Sequence, residues 1–236
     1  MRTRVKFCGV TAAEDARRAA ELGADAVGVV LVAGSAREAS LAEALAVRHA
    51  LPPFVALVAV LRDPPPALVA EVVARLAPDW LQFHGEEPGD FCAAFGRPYL
   101  KAVAAGEGID WARLLAAHPR AAGFVADSHA PGGLGGTGRT LDWSRLAPPH
   151  PRPLVLAGGL CCENVAAAIR AVRPFAVDVA SGIESAPGAQ VPAADAGLPR
   201  RGATCRCRYR RLSRDFRPPP RRGVSAPTAA ATWPRP

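Results

Sequence analysis

An α/β barrel of eight parallel strands, a (β/α)8 barrel, is the fold this 236-residue sequence predicts. Three observations point to it. Over residues 1–190, short runs of Val, Ile, Leu and Phe alternate strictly with Ala- and Leu-rich stretches whose apolar residues recur at helical spacing. The strand-like runs, such as FVALVAVL at 54–61, are almost wholly apolar, as strands are when helices cover both faces of a parallel sheet. The length suits one such barrel, which takes roughly 250 residues. A doubly wound open sheet would carry a Gly-rich phosphate loop after its first strand, and CGVTAAED at 8–15 is not one.

Strand 1 is read at 4–9 (RVKFCG) and is followed by a helix at 12–22. AVGVVLV at 26–32 is strand 2, with a helix at 39–50, and strand 3 at 54–61 leads to a helix at 65–76. DWLQFH at 79–84 is strand 4, followed by a helix at 88–95; PYLKAV at 98–103 is strand 5, followed by a helix at 109–117. AGFVAD at 122–127 is strand 6, with a short helix expected at 142–147. PLVLA at 153–157 and AVDVAS at 176–181 are strands 7 and 8, joined by a helix at 162–172.

The basic character of the chain belongs to its end. Residues 1–190 hold 18 Lys and Arg against 19 Asp and Glu, a net of −1, whereas residues 191–236 hold 11 Arg and two Asp, a net of +9. That second stretch has eight prolines and neither the strand nor the helix period, a composition that cannot bury enough surface to order itself. A barrel domain at 1–190 and a disordered basic tail at 191–236 are therefore expected. No apolar run is long enough to span a membrane and no signal-peptide pattern opens the chain, so a cytoplasmic protein without membrane partners is expected. The six cysteines lack zinc-ribbon spacing and are read as reduced thiols, with no metal.

In barrels of this kind the site is built at the C-terminal ends of the strands. Cys8 lies there on strand 1, Arg37 follows strand 2, Gln82 and His84 close strand 4, and Asp127 closes strand 6. Each has an ordinary alternative: a small core thiol at Cys8, a solvated cation at Arg37, turn residues at His84 and Asp127. Their convergence on one rim favours chemistry. Gly158 and Gly159 follow strand 7, and Ser181 and Gly182 follow strand 8, the two loops that commonly hold phosphate in this fold. Glycines let backbone N–H groups approach an anion, and a helix N-terminus adds partial positive charge. A small phosphorylated substrate is implied.

Seven stretches in order carry a resemblance over about residues 4–188: KFCGVT (6–11), GADAVG (23–28), GSAR (34–37), LQFHGEE (81–87), ADS (126–128) with GGTGRTLDW (135–143), LAGGL (156–160) with Asn164-Val165, and VDVASGIE (177–184) with Pro187-Gly188. The chain resembles the N-(5′-phosphoribosyl)anthranilate isomerase family of tryptophan biosynthesis. The resemblance implies an Amadori rearrangement of a ribosylamine to an amino-ketose, with no cofactor. It makes Asp127 the general acid toward the furanose ring oxygen and Cys8 the general base toward the sugar C2′. That needs a carboxyl held protonated and a thiol shifted toward thiolate. It also places Arg37 at the anthranilate end, in a stretch where Ala36 stands in place of the family's usual proline. Asp178 is a pocket carboxylate by the same token, though it could equally neutralise Lys6, which shares the parity of Cys8.

After ESAPGA (184–189) the family continues into a charged segment and an amphipathic helix covering strand 8. Here the basic tail stands in its place, so the last helix is expected to be missing, and a reading-frame shift close to Ala189 is the expected cause. Three other readings compete: an inactive barrel from a damaged gene, a sister barrel enzyme of tryptophan or histidine biosynthesis, and a polyanion-binding protein acting through the arginine-rich tail. The scattered Tyr209, Phe216 and Trp233 give the tail little aromatic interleaving and argue against nucleic acid. The enzyme is expected as a monomer or homodimer.

Overall fold

The computed structural model describes residues 2–105, 108–127, 142–146 and 148–181, together with the backbone of 184–186 and 189–190. Eight strands close into one barrel in chain order: β1 Arg4–Cys8, β2 Ala26–Val30, β3 Ala56–Leu61, β4 Trp80–Phe83, β5 Tyr99–Ala104, β6 Gly123–Asp127, β7 Leu154–Leu156 and β8 Ala176–Val179. All neighbouring pairs are parallel, and β1 pairs with both β2 and β8. Among the described residues, six α-helices stand between them: α1 Ala13–Glu21, α2 Leu41–Ala50, α3 Pro66–Leu76, α4 Gly89–Cys92, α5 Trp111–Ala117 and α6 Val165–Val172. Among the described residues, no helix is long and apolar enough to cross a membrane.

Three helical expectations change on folding. The helix read at 88–95 contracts to the single turn α4, whose Gly89 packs so closely on the Ala117 carbonyl that a β-carbon would collide with it. The helix read at 142–147 is a 3-10 turn, Trp143–Leu146, opened by Asp142, whose carboxylate accepts from the Ser144 N–H at 3.1 Å. Pro148 and Pro149 follow one residue later and cannot continue a helix. The helix read at 162–172 begins at Val165, because Asn164 accepts from the Cys161 N–H at 2.9 Å and donates to the Gly159 carbonyl at 2.8 Å, spending residues 161–164 on a closed loop. Beyond β8, β9 (Glu184–Ala186) and β10 (Ala189–Gln190) pair antiparallel, an addition too short for periodicity to reveal.

Two apolar layers follow from the period-2 alternation of the strands. Outward residues such as Phe7, Val27, Leu57, Leu81, Phe83, Phe124 and Val177 are buried against the helices in the main core. Inward ones, Val125, Val155, Ala157 and Ala176 with Leu100 and Ala102, fill one side of the barrel. The N-terminal rim is braced by two aspartates in equivalent places. Asp25 accepts from the Val5 N–H at 2.9 Å and Asp79 from the Leu57 N–H at 2.7 Å, each tying the start of an even-numbered strand to the odd-numbered strand before it. Arg2 and Arg48 neutralise them. Such ties at this rim serve the scaffold, leaving the opposite rim for chemistry.

Candidate active site

The register puts the predicted site residues of the strands on one surface. Cys8 stands opposite Gly28, Gln82 opposite Val60 and Leu100, Asp127 opposite Ala104, and Asp178 opposite Lys6. Stepping by two from the inward Leu100, Val125, Val155 and Ala176, all of these point into the barrel, with His84 continuing the inward parity of Gln82. Cys8 and Asp127 end their strands at the C-terminal rim. All four described cysteines, Cys8, Cys92, Cys161 and Cys162, are free thiols.

Around Cys8 the sequence reading left Asp178 two roles, and the structure pairs it with Lys6: Nζ donates to Asp178 Oδ2 at 2.7 Å, with the two side chains only 5% and 6% exposed. The other oxygen, Asp178 Oδ1, is buried with no hydrogen-bond partner among the described residues. Cys8 keeps part of its surface open to the rim. Its thiol is not shifted toward thiolate at rest: burial pushes it above its ordinary value, Lys6 pulls it down and Asp178 pushes it up. Burial lowers the Lys6 ammonium, and Asp178 followed by Cys8 more than restores it.

Gln82 is fully buried and its amide N–H2 donates to Nε2 of His84, leaving Gln82 Oε1 without a partner among the described residues. Burial holds the His84 imidazole below its ordinary value, against the pull of Asp127, so the ring is neutral near neutrality. A lock on the outer side of the barrel fixes the turn after His84. Asp63, held at φ 43°, donates its N–H to Glu87 Oε1 and accepts from the Glu86 N–H through Oδ1, both at 2.7 Å. Glu87 also accepts from the Gly85 N–H, and Gly85 has no room for a β-carbon against the Asp63 carboxylate. Lys101, directed outward from β5, donates to Glu87 Oε2 at 2.7 Å and to the Gly85 carbonyl, with both charged side chains almost fully buried. Sequence reasoning missed this lock. Its signal was a single cation in the apolar strand YLKAVA, since a buried charge requires a partner.

Arg37 reaches back over β1: a β-carbon on Gly9 would come within 2.5 Å of Arg37 Cδ, so the guanidinium stem covers the residue after Cys8. Gly158 and Gly159 both take positive φ, 84° and 62°, in the turn that follows β7. Ser181 is exposed just past β8. Gly182 lies outside the described residues, as do Ser128, residues 135–141 and the tail at 191–236.

Residues 5–193 match the family described as N-(5′-phosphoribosyl)anthranilate (PRA) isomerase. The chain is 51% identical over 189 residues to the N-(5′-phosphoribosyl)anthranilate isomerase of Stenotrophomonas maltophilia (strain K279a), covering 79% of this chain and 87% of that protein. It resembles the crystal structure of phosphoribosyl anthranilate isomerase from Thermotoga maritima with a TM-score of 0.73 and 39% identity, covering 80% of this chain and 93% of that one. A phosphoribosyl anthranilate isomerase in complex with reduced 1-(o-carboxyphenylamino)-1-deoxyribulose 5-phosphate gives a TM-score of 0.71 at 33% identity, covering 91% of this chain and 100% of that one.

Proposed function

The chain belongs to the N-(5′-phosphoribosyl)anthranilate isomerase family and is an isomerase of tryptophan biosynthesis, and from that premise we propose that Cys8 and Asp127 carry its Amadori rearrangement. The observation that supports this is their common placement: two groups able to exchange protons, from β1 and β6, both at the C-terminal rim and facing one interior. Asp127 gives a proton to the ring oxygen as the C1′–O bond opens, leaving a Schiff base between C1′ and the anthranilate nitrogen. Cys8 as thiolate takes the proton from C2′. The freed electron pair forms the C1′–C2′ double bond, and the C1′–N pair moves onto nitrogen. Loss of the O2′ proton and reprotonation at C1′ then give the amino-ketose. The substrate's own nitrogen serves as the electron sink, so the scheme asks for no cofactor.

The remaining candidates divide among the parts of the substrate. Asp178 Oδ1 and Gln82 Oε1, buried acceptors without partners among the described residues, suit the sugar hydroxyls, with His84 beside them. Arg37 suits the anthranilate carboxylate, to which a guanidinium can pair in bidentate fashion. Gly158, Gly159 and Ser181, with Gly182, form the phosphate cradle in this reading. Cys8→Ala and Asp127→Asn are each expected to lower kcat by about 10²-fold or more in a folded protein while substrate binding persists. Near-normal kcat in either variant would refute the role given to it.

In the same reading the barrel domain ends near residue 190 and the family's closing segment is replaced by the basic tail. One finding supports it: the family match stops at residue 193.

A further inference from the structure

Taking Cys8 as the base, as proposed above, we infer that Lys6 is a positioning residue for the proton transfer: its ammonium, clamped by Asp178, is the countercharge against which the Cys8 thiolate forms. Lys6 precedes Cys8 by two residues on β1, so both side chains leave the strand on the inward face. The clamp fixes where the ammonium sits, because Lys6 Nζ lies 2.7 Å from Asp178 Oδ2 across the seam where the first and last strands join. The neighbouring strand leaves the space open: a β-carbon on Gly28 would stand 2.9 Å from Cys8 Sγ and 3.1 Å from both Lys6 Cε and Nζ. Thiol and ammonium therefore share the pocket over Gly28.

An ammonium has three donors, and Asp178 engages one of them, leaving others for a sulfur beside it. A buried ion pair is weak evidence for stability, since desolvating the two charges offsets most of their attraction. A role in holding charge beside the base gives it a physical reason to be there. The Coulomb effects agree in sign: Lys6 favours the thiolate while burial and Asp178 oppose it. From β4, Gln82 and His84 face the same interior, with His84 neutral; from β6, Asp127 does; Arg37 lies over Gly9, and β2 places Gly28 opposite Cys8. Lys6 is thus the cation built into the barrel wall beside the sulfur. The proton leaves Cys8 for solvent before the reaction, with the Lys6–Asp178 pair charged throughout, and the thiolate then takes the C2′ proton.

The test reads the thiolate in the free enzyme. Alkylation of the full chain by iodoacetamide is followed from pH 6 to 10, scoring by mass spectrometry the tryptic peptide that carries Cys8, Phe7–Arg17 in the parent and in Lys6→Arg and Val5–Arg17 where Met replaces Lys6, so that the other cysteines do not interfere. In Lys6→Met the rate at pH 7.5 is expected to fall at least about tenfold, because an opposite charge within about 4–6 Å moves a pKa by about one to three units. Lys6→Arg, which keeps the charge, should restore most of the rate. The ascending limb of kcat/KM against pH should move upward in Lys6→Met and stay near its original place in Lys6→Arg. Should Lys6→Met fail to fold, the neutral pair Lys6→Met/Asp178→Asn decides, and its alkylation limb is expected to move upward likewise. An unchanged alkylation limb in the folded variant, or the same slowing in Lys6→Arg, would overturn the assignment. Cys8→Ala with normal turnover would instead overturn the base itself, so the two failures are distinct.

Discussion

Replacing Lys101 by Met tests whether the outer lock holds the β4 turn. Met fills a similar volume but removes the hydrogen bonds to Glu87 Oε2 and the Gly85 carbonyl, leaving Glu87 buried with 3% of its side chain exposed. Breaking a buried ion pair by removing one partner costs about 3–5 kcal/mol. Glu87 still accepts from the N–H groups of Asp63 and Gly85, so the lower figure applies, about 3 kcal/mol. For a domain of this size about 1 kcal/mol moves Tm by roughly 2–4 °C, which gives a drop of about 6–12 °C. The assay is a thermal melt followed by far-UV circular dichroism at pH 7.5. Glu87→Gln, which strands the ammonium, is expected to cost at least as much. The double variant Lys101→Met/Glu87→Gln should cost clearly less than the sum, because the two residues act on each other. A Lys101→Met Tm within about 2 °C of the parent, or strict additivity in the double variant, would refute the reasoning.

Inorganic phosphate is expected to raise Tm by binding only the native state, and Gly159→Val, strained at positive φ, should abolish that gain; a phosphate effect that survives would move the anion elsewhere. Burial depresses the His118 imidazole, with Lys101 adding to the effect and Glu87 opposing it. The unfolded chain therefore binds a proton near pH 6.5 that the native state refuses, and stability should fall as pH drops through that value and level off below the folded pKa. His118→Gln should shallow that fall between pH 7.5 and 5.5, and an unchanged slope would exclude His118 as its source. Translating the coding DNA in the two other frames beyond codon 189 is expected to reveal an amphipathic segment of about 15–20 residues, and a chain rebuilt with it should melt cooperatively at higher temperature. Finding no such segment in either frame would sink the frameshift and leave the tail needing a function of its own.

By itself the sequence determined the barrel and the rim at which its candidate residues gather. A parallel strand covered on both faces must be apolar along its length, so eight such runs separated by helical spacing leave few other architectures. The polar exceptions in those runs, Cys8, Gln82 and Asp178, then sit on the inward parity, with Asp127 at a strand end. What escaped the sequence depended on atoms brought together by folding. How closely α4 seats was decided by the Ala117 carbonyl against Gly89, and the start of α6 by the Asn164 side chain closing its own loop. Whether Asp178 serves a ligand or a cation could not be read locally, because Lys6 lies 172 positions away and meets it only when β1 closes on β8. The expectation of a thiol already shifted toward thiolate failed for the same reason. Burial and the nearest charges set a pKa, and neither exists until the barrel has closed around Cys8.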